Sequence, residues 1–380
     1  MDLIQKVEML GEAAQYDLCG VPVSTDHRRR DRFDRSVYPA SLPNGKRIRV
    51  LKVLQTNICE KRCGYCGIRA SRDVPRASFE SEELARAFDR IHRAGIVDGL
   101  FLSSGVCTNA GTMDRLIATV EIIRRRYEFA GYVHLKILPG ASEAHIERAV
   151  QLAHRVSVNL EAPNPDRLSV IAPHKDYFGE LSEPMRFAQQ LIDESGGRLA
   201  PAGQTTQFVV GAAGESDSEI LSTSARLYEE LGLARAYYLA FNPVPGTPLD
   251  GIPPTPQWRE RRLYQADWLL RFYGFSYDDL VFDSGGYLSR TADPKLLHAR
   301  NHPQRFPVEL NRASRRDLLR VPGLGPRSIA RILHWRRQGT LRELEHVKRA
   351  GGVAERAAPY ILLDGKRPPH QLTYWDEWPE

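Results

Sequence analysis

Short apolar runs alternate along the chain with longer amphipathic stretches, and this alternation predicts the fold. Six apolar runs of strand length lie between residues 49 and 250. The predicted strands cover residues 49–55, 99–103, 132–137, 156–160, 204–210 and 235–241. Stretches of helical period lie between most of them, at residues 79–94, 112–127, 143–154, 183–194 and 217–231. Strands that alternate with helices in this way indicate an α/β protein with a parallel sheet.

The number of strand–helix units indicates how this sheet is shaped. Six units with right-handed connections curl toward an open barrel, so we expect a partial, TIM-like (β/α)6 barrel. Active sites of such barrels lie at the carboxyl ends of the strands. The loops that follow the predicted strands are therefore the first place to look for chemistry.

Other segments flank the predicted barrel, which covers residues 49–250. Residues 1–48 comprise a short helix and a loop with a basic run at 27–35, which fits either a solvated surface or an arm that contacts phosphate. A connector at 251–306, with a long amphipathic helix at 258–273, is expected to pack on the barrel. A second module covers residues 307–365, and residues 366–380 form a polar tail.

Two helix–loop–helix patterns fill the second module, which we expect to be all-α. In the first, helices at 313–319 and 326–337 flank Val321-Pro322-Gly323-Leu324-Gly325; a weaker copy follows at 341–361. The pattern resembles the helix-hairpin-helix module, whose glycines let backbone N–H groups approach a DNA phosphate. The expected DNA contacts are Pro322, Gly323, Leu324, Gly325, Arg327 and Arg331. A small helical module for protein contacts is the alternative interpretation.

Composition narrows the class of protein. The 380 residues are 42% hydrophobic and 26% charged, with a net charge of +6, which is typical of a globular protein and compatible with an anionic partner. No apolar run has the length of a membrane span, and the first residues lack the apolar core of a signal peptide. We therefore expect a cytoplasmic protein without a membrane partner.

Three of the five cysteines form a dense cluster directly after the first predicted strand. Cys59, Cys63 and Cys66 have the spacing C-x3-C-x2-C, whereas Cys19 and Cys107 are isolated. Three thiolates can hold three irons of a [4Fe-4S] cluster and leave the fourth iron open. The alternative is a zinc site, but zinc takes four ligands and no nearby fourth cysteine or histidine suggests itself.

The cysteine run, with Tyr65 before its last cysteine, resembles the radical S-adenosylmethionine (SAM) superfamily. The resemblance implies that SAM chelates the open iron and is cleaved by one electron to a 5′-deoxyadenosyl radical, which abstracts a hydrogen atom from a substrate. It also implies an electron donor such as flavodoxin or ferredoxin. The expected cofactors are therefore a [4Fe-4S] cluster and SAM.

Further strand ends match elements of the same superfamily. Ser103-Ser104-Gly105 stands where a glycine-rich loop supports the SAM amino group, although the glutamate usual there is missing. Asn159 and Glu161 stand where polar residues contact the ribose, and Val210-Gly211 begins the element that packs on adenine. The resemblance therefore implies cofactor contacts at Tyr65, Ser103, Ser104, Gly105, Asn159, Glu161, Val210 and Gly211.

Polar residues near the same strand ends are candidates for the substrate side. They are His134, Lys136, Glu161, Lys175, Gln204 and Gln207. Lys136 and Gln204 are the preferred catalytic residues, and hydrogen bonding inside the barrel is the alternative role for all six. Cys107, which lies just past Ser103-Ser104-Gly105, is the one isolated cysteine that could face the site.

A narrower resemblance extends over nearly the whole chain, through residues 13–17, 99–105, 134–136, 202–207, 263–273, 293–295 and the hairpin module. These blocks are similar to radical SAM proteins assigned to DNA modification or repair, whose genes often neighbour a uracil-DNA-glycosylase-like protein. The resemblance implies a radical SAM enzyme that acts on DNA, with that glycosylase-like protein as a partner. The alternatives are a radical SAM enzyme on RNA or a small molecule, and a DNA-binding scaffold or redox sensor with a structural cluster.

Overall fold

A computed structural model describes residues 1–14, 36–41, 45, 47–107 and 111–370. The basic run at 27–35, Cys19, and most of the 13–17 block and of the tail lie outside the described residues. The chain forms two compact units. The first comprises residues 1–215 and 226–260, and the second comprises residues 216–225 and 261–380. Within the described residues, no helix is long and apolar enough to cross a membrane.

A seven-stranded sheet forms the centre of the first unit, with the strands in chain order. They are β1 (Val37–Ser41), β2 (Arg47–Leu54), β3 (Gly99–Ser103), β4 (Tyr132–Lys136), β5 (Arg155–Ser157), β6 (Gln204–Val210) and β7 (Arg235–Ala240). β2 to β7 pair in parallel, with Leu54 opposite Ser103 and Lys136 opposite Ser157, so their carboxyl ends share one edge. This curled sheet confirms the predicted partial barrel.

The antiparallel edge strand β1 was not predicted, because residues 20–47 read as a loop. β1 contains Pro39, which pairs in register with Arg49 of β2. Proline has no N–H to donate, so it is tolerated on an edge strand, where one side of the backbone needs no partner. The proline therefore marks the edge of the sheet and not the absence of a strand.

Helices connect the strands of the first unit and cover the sheet. They are α1 (Leu3–Ala13), α2 (Ser81–Arg93), α3 (Thr112–Arg125), α4 (Glu143–Leu152), α5 (Pro165–Ile171), a π-helix (Tyr177–Ser182) and α6 (Glu183–Glu194). Two further helices, α7 (Asp217–Leu231) and α8 (Gln257–Phe272), each have residues in both units. α2 illustrates the amphipathic pattern, because Leu84, Phe88 and Ile91 lie on one face of the helix and are buried. Burying each such side chain stabilises the fold by about 1.5–3 kcal/mol.

The second unit contains short helices around its own apolar core. They are α9 (Pro294–Asn301), α10 (Arg315–Arg320), α11 (Pro326–Trp335), α12 (Leu344–Arg349) and α13 (Ala354–Ala357), with 3-10 turns at Tyr277–Asp279, Pro303–Arg305 and Ala358–Tyr360. The core includes Leu318, Ile329, Ile332, Val347 and Ile361. The module is not purely helical, because β8 (Val308–Glu309) pairs in parallel with β9 (Ile361–Leu362).

Two pairs of short helices, α10–α11 and α12–α13, each joined by a loop, pack against each other in the second unit. Gly323 and Gly351 occupy their loops with φ of 81° and 83°, a conformation that favours glycine. The Val353 N–H donates to the Gly323 carbonyl at 2.9 Å. A Cβ on Gly323 would lie 2.5 Å from the Val353 carbonyl oxygen, so Gly323 permits the close approach of the two loops.

Lys295 on α9 should make stability depend on pH. Its ammonium donates to the Leu324 carbonyl at 2.5 Å, and burial lowers its pKa from 10.5 to about 7. Between these values the unfolded chain binds more protons than the folded chain, so the free energy of unfolding should rise with pH by up to about 1.4 kcal/mol per unit. Urea titrations from pH 7 to 10 should show this slope, and Lys295→Met should remove it.

The exposed Lys348 provides the matched control for this titration. Lys348→Met removes the same charge from the surface of the same unit and should leave the slope unchanged. A slope that survives in the Lys295→Met variant would contradict the assignment to Lys295.

Candidate functional site

The cysteine loop, which contains Cys59, Cys63 and Cys66, follows the carboxyl end of β2. It crosses the edge of the sheet at which the parallel strands end. Cys63 is buried, whereas Cys59 and Cys66 are half-buried. The Gly64 N–H donates to the Ile171 carbonyl at 2.7 Å, and Lys61 forms an ion pair with Glu180 at 2.6 Å. These contacts hold the loop against the segment that follows β5.

Arg76 forms hydrogen bonds with both ends of the cysteine loop. Its guanidinium donates to the carbonyls of Ile68, Arg69 and Arg72 at 2.7, 2.8 and 2.9 Å, and also to the carbonyl of Asn57. Asn57 precedes the first cysteine and Ile68 follows the last one, so a single side chain joins the two flanks. Sequence analysis missed Arg76, since an arginine in a loop resembles a solvated charge.

The electrostatics of the three thiols fit an iron–sulfur cluster. Burial, followed by the charge of Cys63, raises the pKa of Cys66 to about 12, and burial also raises that of Cys63. Buried thiolates therefore need a compensating cation, and iron supplies one. Among the described residues, no three His, Cys, Asp or Glu side chains converge tightly enough to hold a single metal ion. A cubane cluster takes each thiolate on a different iron, so its ligands can stand further apart.

The end of β3 packs directly on the cysteine loop. The Gly105 N–H donates to the Thr56 carbonyl at 2.7 Å, and the Glu60 N–H donates to the Val106 carbonyl at 2.7 Å. The Val106 N–H lies 3.4 Å from the Cys59 sulfur. The Cys107 thiol donates to the Ile58 carbonyl at 3.4 Å and so supports the cysteine loop. Cys107 does not line the cavity described below.

Gly105 should be intolerant of a side chain. A Cβ there would lie 2.1 Å from the Ile58 carbonyl oxygen, a backbone atom that cannot move without the cysteine loop. Gly105→Ala should therefore cost about 1–3 kcal/mol of stability and lower the iron content after reconstitution. Thermal unfolding and iron analysis measure both effects.

Gly251 provides the control, because a Cβ at Gly251 meets nothing within 4 Å. Gly251→Ala should change stability by no more than about 0.5 kcal/mol and leave the iron content unaltered. Equal iron contents in the two variants would contradict the tight contact at Gly105.

One cavity brings together the cysteines and most of the predicted strand-end residues. It is lined by Cys59, Cys63, Cys66, Tyr65, Ser103, Ser104, Gly105, Lys136, Asn159, Glu161 and Lys175, with apolar side chains that include Leu54 and Ile137. These residues come from the ends of β2, β3 and β4 and from the segment after β5. Eleven residues singled out from the sequence therefore meet at one place.

Gln204, Val210 and Gly211, which the sequence also singled out, lie elsewhere on β6 and directly after it. None of the three lines the cavity. Gln204 is the first residue of β6, at the end opposite the cysteine loop, and its side chain donates to the Met185 carbonyl at 2.9 Å. Gly211 packs on Thr255, and its N–H is bonded to the Glu215 carboxylate. His134 and Gln207 are buried inside the sheet and do not line the cavity either.

Glu161 and Lys175 form a buried ion pair in the cavity wall. The Lys175 ammonium lies 3.0 Å from Glu161 Oε1, and the side chains are 8% and 6% exposed. Burial alone would lower the pKa of Lys175, but Glu161 and the cysteine thiols together raise it, so Lys175 remains charged. The second oxygen, Glu161 Oε2, is buried without a hydrogen-bond partner.

The backbone holds Glu161 in a strained conformation. Its φ is 65°, which is uncommon for a residue with a side chain. The Glu161 N–H donates to the Gln207 carbonyl at 2.9 Å, and its carbonyl accepts from the Val209 N–H at 2.8 Å. These bonds to β6 fix the strained residue, which is frequent where a side chain must be held for function.

Comparison with known proteins identifies similar chains. Residues 53–227 match the model of the radical SAM superfamily. A 7,8-didemethyl-8-hydroxy-5-deazariboflavin synthase of Methanosarcina barkeri is 27% identical over 215 residues, which are 52% of this chain and 62% of that protein. The synthase of Methanosarcina mazei is 27% identical over 213 residues, which are 52% of this chain and 60% of that protein. The chain thus spans about three fifths of the curated relatives it matches.

Solved structures show similar, more distant chains. Methylornithine synthase (PylB) superposes with a TM-score of 0.47 and 14% identity, over 70% of this chain and 68% of that one. The hydrogenase maturase HydG of Carboxydothermus hydrogenoformans superposes with a TM-score of 0.46 and 15% identity, over 58% of this chain and 51% of that one.

Proposed function

We propose that this chain, whose residues 53–227 match the radical SAM superfamily, is a radical SAM enzyme that uses a [4Fe-4S] cluster and SAM to abstract a hydrogen atom from a small organic molecule. The observation that carries the proposal is the single cavity shared by the three cysteines and the buried Glu161–Lys175 pair. The curated relatives support it, because they are named for a small-molecule product. We do not propose a DNA-binding scaffold or redox sensor with a structural cluster.

When bound, the cluster and SAM supply the one-electron cleavage that generates the radical; the protein positions them and excludes water. Cys59, Cys63 and Cys66 would hold the cluster. Ser103, Ser104 and Gly105 line the same cavity and would offer backbone and hydroxyl groups to the SAM amino group. The electron comes from a donor such as flavodoxin or ferredoxin.

The polar wall of the cavity binds the remaining groups in this proposal. In this proposal Lys175 is a fixed cation for the SAM carboxylate, and Asn159 and Glu161, which line the same cavity, accept ribose hydroxyls. The Tyr65 hydroxyl lies beside the Glu161 carboxylate. Burial raises the pKa of Tyr65 well above its ordinary value, so the hydroxyl keeps its proton. Lys136, which is 9% exposed at the cavity, orients an anionic or carbonyl group of the substrate.

Product analysis tests this proposal. Reconstituted, reduced enzyme with SAM should form 5′-deoxyadenosine faster when a filtered extract of small metabolites is added, and deuterated metabolites should transfer deuterium to that product. The same enzyme with duplex DNA should show no acceleration. Acceleration and deuterium transfer with DNA, but not with metabolites, would reverse the choice of substrate class.

DNA modification or repair is the second candidate, and the two hairpins of the second unit favour it. Arg327 and Arg331 are exposed on α11, directly after the first loop. In this candidate Pro322, Gly323, Leu324 and Gly325 lie along the phosphate backbone, and a base would have to leave the stack to be reached. A uracil-DNA-glycosylase-like protein would then be the partner.

Duplex binding tests the second candidate without disturbing the fold. Gly323 is unsuitable for replacement, because it permits the contact between the hairpins. Arg327→Gln with Arg331→Gln removes two exposed charges and should weaken salt-sensitive binding of a labelled duplex. Unchanged binding in this double variant would remove the first hairpin from the DNA argument.

A further inference from the structure

We propose that the second unit contains a phosphate-binding site in a pocket lined by Arg305, Arg316 and Arg320. Phe306, Val308 and Asp317 complete its lining. None of these residues lines the cavity of the cysteine loop or belongs to the hairpin loops. The site therefore goes beyond the proposed hydrogen abstraction and does not depend on it.

Arg320 is the central residue of this pocket, because it is buried with unused donors. It is 5% exposed, and its Nη2 donates to Asp279 Oδ2 at 2.8 Å. Its Nε and Nη1 are buried without any acceptor. The guanidinium lies over the Phe275 ring, 4.9 Å from its centroid, which leaves its N–H groups without oxygens. Because Arg320 lines the pocket, a small movement of its side chain toward an anion there would supply the missing acceptors.

The surrounding charges leave the pocket positive. Arg305 Nη1 lies 3.9 Å from Asp279 Oδ1, so Asp279 is shared between Arg305 and Arg320. The carboxylate of Asp317 accepts from the Ser314 hydroxyl at 2.5 Å, where α10 begins. Arg316 is exposed at the rim. Three guanidinium groups thus face two carboxylates, and both carboxylates already have partners.

Phosphate is the ligand class that this arrangement fits. Its oxygens can accept from several forked guanidinium groups at once, whereas a carboxylate offers only two oxygens. The phosphate can come from a nucleic-acid backbone or from a free phosphorylated molecule, and the pocket chemistry is the same for both. The proposal concerns the phosphate group, and the experiment separates its two sources.

Two double variants of the full chain provide the test. Arg305→Gln with Arg316→Gln removes two exposed charges from the pocket. Arg337→Gln with Arg342→Gln removes two exposed charges that do not line it. Calorimetry with inorganic phosphate and with pyrophosphate measures the free ligand, and anisotropy of a labelled duplex at several salt concentrations measures nucleic acid. Arg320→Met, checked by thermal unfolding, probes the buried donor itself.

The proposal expects the pocket double variant to weaken one probe by roughly tenfold more than the control variant does. Loss of duplex binding alone, with a salt dependence reduced by one to two phosphate contacts, identifies nucleic acid as the source. Loss of phosphate or pyrophosphate binding alone identifies a free ligand. Equal losses in the two double variants, or no binding of any probe by the unaltered protein, would overturn the site. SAM cleavage should be unchanged in both double variants.

Discussion

Cys66→Ala is expected to abolish SAM cleavage. The variant leaves two thiol ligands in the cysteine loop, so a second iron of the cluster, besides the open one, would lack a protein ligand. Changes to residues that only support metal ligands already cost about 10- to 100-fold in affinity or activity, so loss of a ligand should cost more than about 100-fold. Iron analysis, the electron paramagnetic resonance of the reduced protein and 5′-deoxyadenosine formation measure the effect.

Cys107→Ser is the matched control for this result. Cys107 is buried in the segment after β3, and its thiol donates to the Ile58 carbonyl. A serine hydroxyl can make the same bond, so iron content and SAM cleavage should stay close to those of the unaltered protein. A loss of iron as large as that of Cys66→Ala would show that the ligand set extends beyond the C-x3-C-x2-C run.

The sheet was predictable because most residues of the parallel strands are buried, and strands such as β3 are nearly continuous apolar runs. β3 and β6 are buried along their whole length, and their bounds match the predicted runs. The short α5 and the π-helix that follows it were missed. Asn164 caps α5 and Pro165 is its first residue, which is a local signal for a helix start, but α5 has only seven residues and Pro173 follows it closely.

The site was predictable where a strand end and a reactive residue coincide, and unpredictable where a distant backbone group decides the role. Cys59, Ser103 and Glu161 follow strands, so parallel topology brings them to one edge. Gln204 is also polar and near a strand end, but it lies at the amino end and its amide bonds to the Met185 carbonyl. Arg76 acts through carbonyl acceptors, which every residue possesses and which therefore leave no trace in the sequence.

Lys175→Met is expected to destabilise the first unit strongly, because it leaves the Glu161 carboxylate buried without its cation. Breaking a buried ion pair on one side typically costs about 3–5 kcal/mol. Urea titrations of the variant and of the unaltered protein at neutral pH measure the loss.

The double variant Lys175→Met with Glu161→Gln separates the ion pair from packing. Removing both charges eliminates the unpaired carboxylate, so the double variant should be more stable than Lys175→Met alone. The stability costs of the two single replacements should therefore not add.

Arg342→Met provides the surface control, because Arg342 and its partner Asp364 are 70% and 51% exposed. It should cost no more than about 1 kcal/mol. Additive costs for Lys175 and Glu161 would show that the two side chains do not act as a pair. In that case the proposed role of Lys175 as the fixed cation of the SAM site would lose its structural basis.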